Sequence, residues 1–193
     1  NWNPIATDDD GSCDFKYDGY DEEGYYCGDL NIIKDFVWQN TGLGNAKDYG
    51  TWVEQPGIVR LPRGNRGRTE DGLPVKRRLR LTELNLDNKS LHGVIPTIIG
   101  QAKKLNYLNL GRNGNAFGGN LTGPIPNSIV ELKELTYLGL HGNHLTGEIP
   151  REIGNLINLE ELNLQGNPDE DNPGNLTGPV PRSINNLTKL TRI

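Results

Sequence analysis

From Leu81 onward, apolar and polar positions recur on one template: Leu-x-x-Leu-x-Leu-x-x-Asn-x-Leu-Thr-Gly-x-Ile-Pro-x-x-Ile-Gly-x-Leu-x-x. Residues 81–104 and 135–158 fit it without interruption. Residues 105–134 and 159–189 fit it on both sides of an insert after the Asn, at 114–120 and 168–175, and a truncated fifth unit begins at Leu190. Within each unit the pairs Leu84/Leu86, Leu108/Leu110, Leu138/Leu140 and Leu162/Leu164 alternate with polar residues. That is the two-residue period of a half-buried strand. Strands this short cannot bury their apolar face alone. Stacking successive units buries it and pairs the strands into a parallel sheet.

The rest of the template predicts how the chain turns and returns. Asn113, Asn143 and Asn167 fall where each strand ends, and an Asn there can satisfy the backbone of the turn. The first unit has Lys89 at that position, beside Asn88. Gly93, Gly123, Gly147 and Gly178 allow a positive φ. Pro96, Pro126, Pro150 and Pro181 then fix an extended path. Ile99, Ile129, Ile153 and Ile184 complete the outer side.

Residues 1–80 differ in design. Nine acids and one base, Lys16, lie in 1–30, and eight bases against two acids lie in 60–80. Of 25 leucines, 21 lie at or after Leu79, so the apolar core belongs to the repeats. A stack needs its first apolar flank covered. Asp29 can cap a helix with Leu30, Ile33 and Val37 on one face, ending near Gly42. Trp52 and 57–61 (Gly-Ile-Val-Arg-Leu) read as a first strand leading into the sheet, and 62–78 as a basic Gly-rich loop. The expected division is thus 1–80 as an N-terminal cap (acidic segment, helix, first strand, basic loop) and 81–193 as the repeats.

Cys13 and Cys27 have no metal-ligand spacing and read as one disulfide, which places the chain in an oxidising compartment; two free thiols are the alternative. The loop closed would be about 15 residues, a constraint of about 3 kcal/mol. The chain lacks Met and opens on Asn1-Trp2, as a processed or truncated product does. No capping segment is legible after Lys189, so a missing segment or another molecule is expected over the last apolar flank.

The repeat pattern resembles the plant-type leucine-rich repeat family, whose Leu-Thr-Gly-x-Ile-Pro half distinguishes it from other leucine-rich repeats. The resemblance covers 81–193. It implies an α/β solenoid, a right-handed superhelix with a parallel sheet on the concave face and a second short β segment near Leu-Thr-Gly-x-Ile-Pro. Relatives include ectodomains of plant receptor-like kinases and polygalacturonase-inhibiting proteins. The helix, Trp and Gly-Ile-Val strand before the first repeat resemble the family's N-terminal cap, although that cap usually has its cysteines flanking the Trp-Gly-Val stretch.

Chemistry is sparse. There is no nucleophile motif, phosphate loop or metalloprotease motif. Glu83 and Glu161 stand three repeats apart, about 14 Å at about 4.8 Å per strand, too far for a glycosidase pair. Glu83 and Asp87, about 13 Å apart on one strand, fail likewise. An EF-type calcium loop fails at Ala6 and Tyr17, where acids are needed. Another carboxylate geometry stays open for Asp8, Asp10, Asp14 and Asp18, and separately for Asp169, Glu170 and Asp171. No metal, cofactor or enzymatic activity is expected. Net charge is −5, which argues against a nucleic-acid partner. Mean hydropathy is −0.63 and no apolar run is long enough for a membrane span.

What remains is recognition. The outward strand positions form three columns: Glu83, Tyr107, Tyr137 and Glu161; Asn85, Asn109, Gly139 and Asn163; Asp87, Gly111, His141 and Gln165. Their side chains, with Arg112, are the expected ligand-binding set of a secreted or extracellular module or of the ectodomain of a membrane protein. Its ligand is a protein, peptide or glycan. The inserts, with Asn115 and Phe117 in one and Asp169, Glu170 and Asp171 in the other, form a second contact region on one rim. Asn88, Asn120, Asn175 and Asn186 begin N-glycosylation sequons. The alternative is a structural component of an extracellular surface, matrix or filament that self-associates end to end through the acidic cap and the basic loop.

Overall fold

The computed structural model describes Ile32, Val59–Arg60 and residues 80–113, 121–166 and 176–193. The predicted coils are present. Strands β2 (Glu83–Asn85), β4 (Tyr107–Asn109), β6 (Tyr137–Gly139) and β8 (Glu161–Asn163) pair in parallel and in register. Strand β1 (Val59–Arg60) adds to this concave sheet beside β2. Only these two residues of the expected 57–61 strand are described as strand, and they pair antiparallel, Val59 with Leu84 and Arg60 with Glu83.

The register places Leu84, Leu108, Leu138 and Leu162 in one buried row. Leu81, Leu105, Leu135 and Leu159 form another buried set, and Leu86, Leu110 and Leu140 a third. Ile32 is helical and fully buried in the same core. Sequence reasoning put other residues, Leu30, Ile33 and Val37, on the helix's apolar face. Those three, the Cys13–Cys27 pairing and the 62–78 loop lie outside the described residues.

A second parallel sheet runs through the Leu-Thr-Gly segments: β3 (Gly93–Val94), β5 (Leu121–Pro124), β7 (His144–Glu148) and β9 (Leu176–Thr177). Its pairing is staggered. Gly93 faces Leu121, Gly123 faces Leu145 and Gly147 faces Leu176. Each coil is thus displaced by two residues against the template, about 7 Å at about 3.3 Å per residue. The glycines adopt the positive φ expected of them, 71° at Gly123 and 76° at Gly147.

Each proline leads into a 3-10 turn on the convex side, as at Thr97–Gln101, Asn127–Glu131 and Arg182–Asn186. The proline carbonyl accepts the isoleucine N–H three residues on, at 3.1 Å for Pro96 and 3.0 Å for Pro126, Pro150 and Pro181. Alternate turns meet backbone to backbone. A Cβ on Gly100 would stand 2.4 Å from the Ser128 carbonyl oxygen, and one on Gly154 2.0 Å from that of Ser183. The serine hydroxyls donate back to Thr97 O at 2.5 Å and Arg151 O at 2.6 Å. The corresponding residue of the second coil is Val130, not glycine.

The turn asparagines act as predicted. Fully buried Asn113 donates through Nδ2 to the carbonyls of Leu86, Leu110 and Gly111, and its Oδ1 accepts the N–H groups of Lys89 and Leu91. It therefore stitches two coils together. Asn143 repeats the donor half, to Leu110, Leu140 and His141, while its Oδ1 has no partner among the described residues. The N–H groups equivalent to those of Lys89 and Leu91 would come from the second coil, where the first insert departs. Asn167 lies outside the described residues.

Candidate functional site

Because the concave sheet is in register, one side chain per coil projects at each level. The first column runs Glu83, Tyr107, Tyr137, Glu161 as the sequence predicted. Tyr107 and Tyr137 stack with centroids 4.4 Å apart and planes 11° off parallel. Burial pushes the Tyr137 hydroxyl pKa up first, and Tyr107, Glu161 and Asp87 add to the shift. Tyr137 lies over Gly139: a Cβ there would stand 2.8 Å from Tyr137 Cε1 and 2.7 Å from Asn109 Oδ1. A glycine in the second column thus makes room for an aromatic ring from the first.

The Asn column also carries local hydrogen bonds. Asn85, Asn109 and Asn163 each accept, through Oδ1, the N–H two residues on, at 3.2, 3.0 and 3.2 Å. These short loops close the end of each strand. Asn109 is moreover only 7% exposed, so it is a support for the Tyr ring rather than an open contact residue. Its Nδ2 reaches Tyr107 Oη at 3.5 Å.

In the third column the His141 ring lies across Gly111, where a Cβ would stand 2.3 Å from Cε1. Its Nδ1 is buried without a partner among the described residues. Asp87 is held by Arg112 of the next coil, whose Nε lies 3.0 Å from both carboxylate oxygens, with Nη2 closing the fork. That hydrogen bond, then the charge, raises the Arg112 pKa. Arg112 has a φ of 50°, where the third coil has Gly142 at 62°. Gln165 is exposed at the end of the column.

Sequence reasoning missed two further positions of the first column. Arg192 continues it, bridging to Glu161 with Nη1 at 3.2 Å from Oε1. Arg60 stands in register with Glu83 at the other end. The signal for Arg192 was present: Leu190-Thr191-Arg192 aligns with Leu159-Glu160-Glu161.

The insert residues Asn115, Phe117, Asp169, Glu170 and Asp171 lie outside the described residues, as do sequon residues Asn120 and Asn175. Asn88 and Asn186 are exposed. A cavity of about 350 Å³ at the root of the second insert is lined by Leu140, Asn143, Leu145, Leu164, Gln165, Gly166 and Leu176. No group of three metal-ligating side chains occurs among the described residues, and none of their helices is long and apolar enough to cross a membrane.

Residues 134–156 match the Leucine Rich Repeat family model. No curated protein matches the chain. Among solved structures, the chain is similar to the ectodomain of the plant membrane receptor kinase GASSHO1/SCHENGEN3 from Arabidopsis thaliana, in complex with Casparian strip integrity factor 2. The identity is 27% and the TM-score 0.60, covering 85% of this chain and 17% of that one. In the Arabidopsis BIR3–SERK2 complex the identity is 24% and the TM-score 0.59, over 85% of this chain and 77% of that one. The ectodomain of the Arabidopsis receptor kinase SOBIR1 gives 24% and 0.55, over 90% and 91%. The chain therefore spans about a sixth of the first of these and most of the other two. The stacked coils and the two parallel sheets give the described repeats a leucine-rich-repeat solenoid fold, similar to that of plant receptor-kinase ectodomains.

Proposed function

We propose that the chain is an extracellular, non-enzymatic recognition module that binds its ligand on the concave face and the insert-bearing rim. The observation that carries this reading is the stacked Tyr107–Tyr137 pair at the centre of an in-register polar column. Tyrosine offers a large apolar surface with a polar tip, and such residues dominate binding energy at protein interfaces. Protein or peptide is the favoured ligand class, because the receptor-kinase ectodomain similar to this chain was solved with a named factor. Glycan is the remaining class.

Residues 1–80 cover the first coil in this reading, with Cys13 and Cys27 joined. Asn88 and Asn186, both exposed, carry glycans in this reading. The test is a selection of peptide and glycan ligands on the full chain, followed by the Tyr107→Ala/Tyr137→Ala double variant. Loss of about 2 kcal/mol or more of binding supports the site. Unchanged affinity for every selected ligand, in that variant and in deletions of 114–120 and 168–175, overturns it.

A further inference from the structure

Tyr137 has one ring face covered by Tyr107, at 4.4 Å. The next position of the column on its other side is Glu161, and the next after that is Arg192. Arg192 reaches back to Glu161 with a contact of 3.2 Å, its side chain 77% exposed and that of Glu161 35% exposed. A pair this open is worth little, so another cation can exchange with it. A carboxylate beside an aromatic face suits a planar cation in particular: the fork pairs with the carboxylate while the flat face lies against the ring. An ammonium has no such face, and an anion would meet Glu161.

We infer that the Tyr137–Glu161 end of the concave column is a site for an arginine side chain of a partner protein, occupied from within the chain by Arg192. The inference rests on the recognition reading above and narrows its ligand to one bearing an exposed arginine. Burial raises the Tyr137 pKa most, and Tyr107, Glu161 and Asp87 add to the shift, so the Glu161 charge is felt at the ring. Arg192 is then an internal competitor, and removing it strengthens binding instead of weakening it.

The probe is a short capped peptide with one central arginine, compared with its citrulline counterpart, which keeps the shape and loses the charge. Binding to the full chain is followed by NMR shifts of the Tyr137 ring. The arginine peptide is expected to move these resonances and the citrulline peptide to leave them. Arg192→Ala should tighten the arginine peptide about two- to fivefold, and Glu161→Gln should weaken it by a similar factor. Unchanged circular dichroism controls for the fold of each variant. Equal shifts from both peptides, or binding indifferent to Arg192→Ala, would overturn the inference. If selected ligands need the Tyr pair but tolerate citrulline at every arginine, this inference fails and the recognition reading stands. If they ignore the Tyr pair and the inserts, both fall.

Discussion

The two sheets are made from the same coils and solve different problems. In the concave sheet, equivalent residues face each other, so each column is a set of aligned side chains. In the second sheet each glycine faces the next coil's leucine, two residues out of step, so no equivalent side chains align. A recognition surface can accumulate only where the alignment persists. Tyr107 and Tyr137 stack because the concave register is unsheared. On the other side, Thr122 and Thr146 share a template position yet do not pair.

The largest expected difference between the sheets is in stability. Leu138→Ala, beneath the Tyr column, should cost about 3–5 kcal/mol in urea unfolding, since the site is fully buried. Val94→Ala, 45% exposed on the second sheet, should cost under about 1 kcal/mol. Similar values would mean that the concave leucines do not dominate the core. Next, Asn113→Ala removes five hydrogen bonds, of which the three to Leu86, Lys89 and Leu91 join two coils. It should cost about 3 kcal/mol, with hydrogen exchange rising first at Lys89 and Leu91.

Gly123→Ala tests the second sheet's backbone. Its φ of 71°, and a Cβ position 3.0 Å from Val94 Cγ1, should cost about 1–2 kcal/mol by thermal unfolding. Gly139→Ala should cost about as much yet also displace the Tyr137 ring, so ring-current shifts separate the two sites. The smallest effect is on pH dependence. Tyr137 has a raised pKa, so the neutral hydroxyl is the form the fold favours. Its contribution is whole below the unfolded value of about 10 and fades as pH climbs through the raised value. Tyr137→Phe should flatten that alkaline decline in a stability–pH titration.

Much of this was legible because leucine spacing sets both the strand phase and the coil phase. Once Leu84, Leu108, Leu138 and Leu162 are aligned, the Tyr column follows with no further information. Asn113 was legible for a related reason: a buried amide at a strand end has backbone groups to satisfy. The stagger of the second sheet was not, because the template aligns Gly with Gly whereas the backbone hydrogen bonds join Gly to Leu. The local bonds of Asn85, Asn109 and Asn163 to the N–H two residues on were not legible either, because they leave no trace in a column of letters. Ile32 was passed over because helical phase near a cap cannot be fixed from three apolar residues.

The convex contacts have a consequence for anyone who would lengthen or shorten the stack. Gly100 abuts Ser128 and Gly154 abuts Ser183, whereas Val130 stands at the junction between, so the turns associate in twos. A splice after residue 134 parts two intact pairs. One after residue 104 or 158 cuts through a seam where only hydrogen fits, and any grafted partner lacking a small residue there would be held away. The natural module for rearrangement is the doublet, 81–134 or 135–189, each with one uninterrupted repeat and one whose sequence carries an insert.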